Sequence, residues 1–319
     1  MTNKVPKTYF EINKIIKSNT KTNINTKTSC NTSTYIQSFP NSQLYTHLTN
    51  LIESQETIEK YTNIQENIIP TRGNIIDWLL VVADRIKITQ ETFFKAITIF
   101  DKYISKLTTE IIDPNKLQFI AVICFFIAYK FEETGVMTLD FVESKLLHFK
   151  YTKKDIVAQE TNILLTINFK LNFPTINTFT NIIIEAIKTL PSIKNEDNKN
   201  NFISKLSCIF NFVNKISLFV DEFIFGVKCF KISLINTKTT LMLMKEMRFI
   251  TNENYKEIEQ LIDDLSKDYI TNEKQIDIMA SGLYLAIINQ EKQGSHKNLF
   301  QSYYNNIEQI FKQEMVKSF

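Results

Sequence analysis

The chain has 319 residues, a net charge of +3 and an apolar fraction of 44%, which suits about two domains of roughly 150 residues each. Of its 37 basic residues, only Arg72, Arg85 and Arg248 are arginine. Because arginine makes most bidentate contacts to guanine and phosphate, this composition disfavours a dedicated nucleic-acid reader.

Cysteine usage and hydropathy disfavour metal sites, secretion and membrane insertion. The four cysteines form no C-x-x-C pair and the three histidines lie far apart, so no metal or other cofactor is expected. The N-terminus lacks the apolar stretch of a secretory signal, and the longest apolar run, residues 117–129, is too short to span a bilayer. We therefore expect a soluble intracellular protein with no membrane partner.

The chain is predicted to be all-α. Five glycines and six prolines are few for a sheet protein with many tight turns, and apolar residues recur at helical spacing along most of the sequence. Residues 1–40 are rich in Asn, Thr, Ser and Lys, which predicts a disordered tail.

Six helices are predicted between this tail and residue 168. An amphipathic helix occupies about 41–60, and the helices that follow span about 70–87, 89–107, 113–131, 138–148 and 152–168. Pro70 is placed at the first helical position. Thr89, Thr138 and Thr152 are predicted N-caps, and Thr152 forms a capping box with Asp155.

The helix over 113–131 is apolar on nearly every side, which predicts a central position among its neighbours. It ends on Lys130, Phe131, Glu132 and Glu133. Two glutamates in the last turn carry the unfavourable sign for the negative end of a helix dipole, so the surroundings of this end must explain them.

A second series of five helices is predicted after the linker Asn172–Thr175. They span about 175–190, 201–220, 229–248, 254–269 and 273–291, with a polar loop at 194–200. A final apolar stripe from Leu299 to Phe311 predicts a terminal amphipathic helix. The predicted ranges are a tail (1–40), an N-terminal domain with its preceding helix (41–173), a C-terminal domain (174–292) and a terminal helix (293–319).

Short motifs over residues 70–176 resemble, in order and spacing, the box of the cyclin family, as in a divergent mitotic or G1-like cyclin with two boxes. They are Arg72 with Asp77-Trp78-Leu79, Glu91-Thr92, Phe100 to Ser105, Leu117-Gln118, Ala128 to Glu133, Tyr151-Thr152, Glu160, and Phe173-Pro174-Thr175. The second half resembles the family less, through Ile216-Ser217-Leu218 and its helix count. The resemblance implies a tandem pair of five-helix cyclin boxes, with an extra N-terminal helix and a C-terminal helix.

The same resemblance implies a structural pair. Arg72 and Asp101 match a buried ion pair that ties the first box helix to the second. Losing one partner of such a pair leaves an uncompensated buried charge, which costs about 3–5 kcal/mol.

The resemblance also implies a cyclin-dependent serine/threonine kinase as partner. The kinase-binding residues it implies are Ile127, Lys130, Phe131, Glu132, Glu133, Glu160, Leu164, Phe169 and Leu171. Lys130 and Glu160 are expected to edge an apolar floor that meets the regulatory helix of the kinase. From the residues alone, an internal salt bridge or a solvated rim explains Lys130 and Glu160 as well, and that alternative stays open.

A candidate patch for docking substrates or inhibitors falls on Thr71, Asn74, Ile75 and Trp78. Thr71 and Asn74 stand where the family has apolar residues, so we expect recruitment of Arg-x-Leu motifs to depart from the usual mode. A tryptophan on an amphipathic helix is also most often part of the core.

The function implied is that of a non-catalytic regulatory subunit that activates a kinase in cell-cycle control, in the nucleus and cytoplasm. One alternative is a transcription factor with two cyclin-like repeats, which would need a basic cleft that this chain lacks. A second is a kinase-independent scaffold, which the retention of Lys130 and Glu160 disfavours. An enzyme is disfavoured because the sequence shows no nucleophile–base arrangement, metal set or phosphate-binding glycine loop.

Overall fold

The computed structural model describes residues 42–55, 68–107, 113–194, 199–220, 223, 227–267, 269–270 and 273–293. All regular structure within these ranges is helical, which confirms the all-α prediction. None of the helices searched in these ranges combines the length and apolar character needed to cross a membrane. The predicted tail (1–40) and terminal amphipathic helix (299–311) lie outside the described residues.

The first half of the chain forms six α-helices and one π-helical turn. They are α1 (Ser42–Ser54), α2 (Ile68–Ile86), α3 (Gln90–Lys106), α4 (Pro114–Glu132), α5 (Leu139–Phe141), which continues into the π-turn Val142–Leu146, and α6 (Lys153–Thr166). The second half contributes α7 (Ile176–Lys188), α8 (Pro191–Lys194), α9 (Lys199–Ser217), α10 (Cys229–Glu246), α11 (Asn252–Lys267) and α12 (Glu273–Gln293). Of these, α8 is a short helix that the sequence did not predict, between the helix predicted over about 175–190 and the polar loop predicted at 194–200.

The described residues divide into two compact units. The N-terminal unit contains α2 to α6 and the segment up to Asn177, and the C-terminal unit contains α1 and the helices from Thr178 onwards. The contacts of α1 explain its grouping: the Gln55 side chain accepts a hydrogen bond from the backbone N–H of Phe230 at 3.1 Å, and so satisfies a donor in the first turn of α10. The predicted domain ranges stay predictions, but the helix expected with the N-terminal box makes these contacts within the C-terminal unit.

Helix α4 is the centre of the N-terminal unit. Every side chain from Ala121 to Ala128 is buried, and α2, α3 and α6 all pack on this helix. The central position predicted from its all-round apolar sequence is confirmed.

The three predicted threonine N-caps are confirmed. The hydroxyl of Thr89 accepts from the backbone N–H of Thr92 at 3.2 Å, and Thr138 accepts from Phe141 at 3.2 Å. Thr152 and Asp155 form the complete capping box. Pro70 is in the first turn of α2 but not at its first position, because the helix begins two residues earlier at Ile68.

The C-terminal unit has a polar chain inside its core. Asn214 donates from Nδ2 to the hydroxyl of Thr180 at 2.9 Å. Asn236 donates from Nδ2 to Oδ1 of Asn214 at 2.8 Å and to the hydroxyl of Ser217 at 3.0 Å. All four side chains are buried, so these bonds satisfy groups that water does not reach.

Candidate functional site

Apolar side chains are exposed at the end of α4, at the end of α6 and in the segment that follows α6. Phe131 is 47% exposed, Leu165 59% and Phe169 61%. Leu164 and Leu171 are partly exposed. We call these five residues the ledge; Ile127 is buried and is not part of the exposed surface.

Lys130 and Glu160 form an ion pair that connects α4 to α6 next to the ledge. The pair is not sealed in the interior, because the Lys130 side chain is 42% exposed. The ammonium group of Lys130 also lies 4.2 Å from the ring centroid of Phe126. Glu160 and Leu164 are four residues apart on α6, so they share one helix face.

Glu132 is directed into the unit. Its carboxylate pairs with Lys95 of α3, and the ammonium group of Lys95 lies 4.4 Å from the ring centroid of Phe131. The same group lies 5.5 Å from the ring centroid of Phe173. Phe131 therefore lies near the segment that follows α6.

Glu133 binds the start of α3. Its Oε1 accepts from the backbone N–H of Thr89 at 2.7 Å and from the hydroxyl of Thr92 at 2.6 Å. Partial burial acts to raise the pKa of Glu133, but the hydrogen bonds from Thr92 and Thr89 outweigh it and hold that pKa below its usual value. A carboxylate that is unfavourable at the C-terminus of α4 is thus favourable at the N-terminus of α3.

Phe169 adopts a backbone conformation that phenylalanine rarely takes. Its φ is 55° and that of Asn168 is 54°, in the left-handed region that disfavours residues with a Cβ. The turn is closed by the backbone N–H of Phe169, which donates to the carbonyl of Leu164 at 2.8 Å. A residue in this left-handed conformation commonly follows the end of an α-helix, and here the turn leaves the ring of Phe169 exposed.

The candidate docking patch lies along one face of α2. Asn74 is exposed, Thr71 and Trp78 are partly exposed, and Ile75 is buried. At its exposed positions the patch therefore carries residues that are more polar than those of the family pattern.

Arg72 and Asp101 are brought together as a buried ion pair between α2 and α3. Both side chains are directed into the core, so their role is structural. Neither contributes to the exposed surface around the ledge.

Sequence reasoning missed several polar contacts in the N-terminal unit. Glu91 accepts from the hydroxyl of Thr175 at 2.7 Å and from Nδ2 of Asn177 at 3.0 Å, which fixes the segment after α6. Lys95 was also missed, although a lysine among the apolar residues of FFKAI was a usable signal. Among the residues that could be searched, no group of three or more His, Cys, Asp or Glu side chains is arranged to hold a metal ion.

Comparison with protein families gives a match over the same part of the chain. Residues 42–172 match the family described as the N-terminal domain of cyclin. Cyclin-A3-2 of Arabidopsis thaliana is 34% identical over 117 residues, which are 36% of this chain and 30% of that protein. G2/mitotic-specific cyclin-4 of Saccharomyces cerevisiae is 35% identical over 105 residues, which are 33% of this chain and 22% of that protein. The chain thus spans less than a third of the length of these relatives.

Two solved structures are also similar to this chain. A viral cyclin from herpesvirus saimiri matches with a TM-score of 0.47 at 15% identity, over 71% of this chain and 97% of that one. A chain of the CAK complex from Chaetomium thermophilum bound to ATP-gamma-S matches with a TM-score of 0.49 at 13% identity, over 91% of this chain and 90% of that one.

Proposed function

We propose, on the premise that this is a cyclin-family protein with its cyclin N-terminal domain at residues 42–172, that the chain binds and activates a cyclin-dependent serine/threonine kinase. It acts as a non-catalytic regulatory subunit in cell-cycle control. The relatives that support this role are themselves A-type and mitotic cyclins.

The observation that carries the proposal is the ledge with its charged edge. Three large apolar side chains, Phe131, Leu165 and Phe169, are exposed at the ends of α4 and α6 and just after α6, and the Lys130–Glu160 pair connects these two helices. An apolar centre with a few charges at its rim is typical of an interface that buries a partner helix.

The mechanism is a shift in the conformational population of the kinase. In an inactive kinase the regulatory helix is turned away, so the Lys–Glu pair of the kinase active site is not assembled. A surface that binds the inward position of that helix more tightly than the outward one moves the equilibrium by the difference in affinity. The cyclin contributes no reacting group to the phosphoryl transfer.

Charge exchange at the edge of the ledge tests this proposal. The double variant Lys130→Glu with Glu160→Lys restores an internal ion pair but reverses both charges that a partner meets. We expect it to keep the melting temperature of the wild type and to lose binding to, and activation of, purified cyclin-dependent kinases. The matched control is the exchange of the exposed pair Lys267 and Asp264 in the C-terminal unit. This control variant is expected to keep the melting temperature of the wild type and to bind and activate the kinase as the wild type does.

A second variant tests the apolar part of the surface. Phe169→Ser removes the exposed ring and is expected to weaken kinase binding by about tenfold or more, as for a central aromatic contact. The proposal is wrong if the charge-exchange variant and the Phe169→Ser variant both bind and activate the kinase as the wild type does. Activity is measured as phosphate transfer to a peptide substrate, and binding by co-purification.

A further inference from the structure

Lys95 is a buried cation in the second turn of α3. Its side chain is 5% exposed, and its neighbours in the sequence are Phe93, Phe94, Ala96 and Ile97. An ammonium group removed from water is strongly disfavoured unless it is paired. The groups that contact the ammonium group of Lys95 therefore indicate its role in the structure.

Three side chains surround the ammonium group. Glu132 forms an ion pair with it, and the rings of Phe131 and Phe173 have their centroids within 4.4 Å and 5.5 Å of Nζ. Glu132 and Phe131 are at the C-terminal end of α4, whereas Phe173 is in the segment that follows α6. One cation thus contacts both chain segments that contribute aromatic residues near the ledge.

We infer that Lys95 is a positioning residue for kinase binding, which fixes the ring of Phe131 and holds the carboxylate of Glu132 inward. This inference rests on the proposed function of the ledge. A half-exposed phenylalanine at a helix end otherwise samples several rotamers. A cation against its face restricts that freedom, and a ring that is already ordered loses less entropy when a partner binds.

The ion pair also determines the charge that the ledge presents. A free carboxylate at Glu132 would have to be desolvated beside any apolar helix that packs on Phe131. Pairing with Lys95 neutralises this carboxylate within the unit. Lys130 and Glu160 then remain at the edge, where the proposed function places the charged contacts.

A double-mutant cycle between Lys95 and Phe131 tests the inference on the full chain. Lys95→Met keeps the length and apolar stem of the side chain but removes its charge. We expect Lys95→Met to weaken kinase binding about threefold to tenfold in the wild type and less than about twofold in the Phe131→Ala background. The effects of two substitutions on binding do not add when one residue acts through the other. Lys95→Arg is expected to recover most of the affinity.

Lys102→Met is the matched control. Lys102 is a second buried lysine on α3, and its ammonium group lies 4.1 Å from the ring centroid of Phe173. Its substitution is expected to affect stability in a similar way but to show no coupling to Phe131→Ala. If Lys95→Met weakens binding equally in both backgrounds, Lys95 does not act through the ring of Phe131 and the inference is overturned.

A measurement without the kinase separates this inference from the proposed function. 4-Fluorophenylalanine placed at position 131 reports the surroundings of that ring by fluorine NMR. We expect the resonance to move towards that of the free amino acid in Lys95→Met and to stay in place in Lys95→Arg. An unchanged resonance in Lys95→Met overturns the positioning role, whereas a wild-type chain that binds no kinase overturns the proposed function.

Discussion

Arg72 and Asp101 form a two-bond ion pair inside the N-terminal unit. Nε of Arg72 lies 2.7 Å from Oδ1 of Asp101, and Nη2 lies 2.8 Å from Oδ2. The planar guanidinium matches the carboxylate in this geometry. Because both side chains are buried, the pair fixes α2 against α3 without screening by solvent.

Removing one member of this pair is expected to destabilise the unit strongly. Asp101→Ala leaves a buried guanidinium without its carboxylate, so we expect the free energy of unfolding to fall by about 3–5 kcal/mol in urea denaturation. Replacing both residues, Arg72→Met with Asp101→Leu, is expected to cost much less. The exposed pair Lys188 and Glu185 is the control, and its disruption is expected to cost under about 1 kcal/mol. Equal effects of the single and double changes would contradict the assignment.

Glu133 is expected to make stability depend on pH. The pKa of its carboxyl is lowered in the folded chain by hydrogen bonds from Thr92 and Thr89, against the opposing effect of burial. Its contribution is therefore complete above the unfolded-state pKa and is lost as pH falls through the lower folded-state value. We expect Glu133→Gln to be less stable than the wild type by about 1 kcal/mol at neutral pH, as for loss of a helix cap.

The difference between Glu133→Gln and the wild type is expected to shrink in acid, measured by urea denaturation across pH 2 to 7. Glu143, another partly exposed glutamate, supplies a control variant, Glu143→Gln. A stability difference at Glu133 that stays constant across this range would show that the charge of the carboxylate is not what stabilises α3.

The candidate docking patch is expected to gain affinity for Arg-x-Leu peptides when its exposed positions are made apolar. Thr71→Met with Asn74→Leu adds apolar area beside Trp78, so we expect binding of a labelled peptide to tighten at least about fivefold in fluorescence polarisation. Loss of this gain in affinity when Trp78→Ala is added would show that the peptide binds at the candidate docking patch. Wild-type binding as tight as that of the variant would contradict this account of the patch.

Trp78 is expected to contribute to packing, since its side chain is partly buried. Trp78→Ala should lower the free energy of unfolding by roughly 2 kcal/mol, below the range for fully buried aromatic residues. Thermal denaturation measures this loss. An unchanged melting temperature together with reduced substrate capture would instead assign Trp78 to the docking patch.

The polar chain in the C-terminal unit is expected to be cooperative. Asn214→Ala removes one partner of Asn236 and one of Thr180, and leaves buried polar groups unpaired, so we expect a loss of about 2–4 kcal/mol in urea denaturation. Asn214→Ala with Thr180→Val leaves fewer unpaired groups and should cost less than the sum of the single changes. Strict additivity would show that these side chains act independently.

The resemblance in the sequence led to Arg72, Asp101, Lys130 and Glu160, because each is part of a motif whose spacing can be read along the chain, and it implied Phe169 as an apolar contact. The structure brings the first four together in two ion pairs. Kinase contact by these residues remains a prediction. The resemblance assigned Glu132 and Glu133 to the kinase-binding surface, but their partners within the chain, Lys95 for Glu132 and Thr89 and Thr92 for Glu133, were not predicted. Neighbouring side chains at a helix end can turn either inward or outward.

The sequence by itself determined the helices of the described regions except the short α8, together with the threonine caps and the central position of α4. These features depend on periodicity and on hydrogen bonds across three or four residues, which the local order of side chains specifies. Only the tertiary structure decided the roles of Lys95, Glu132 and Glu133, and the place of α1 within the C-terminal unit. Glu133 binds Thr89, which lies 44 residues away, and such pairings form only when packing of the apolar faces brings distant helix ends together.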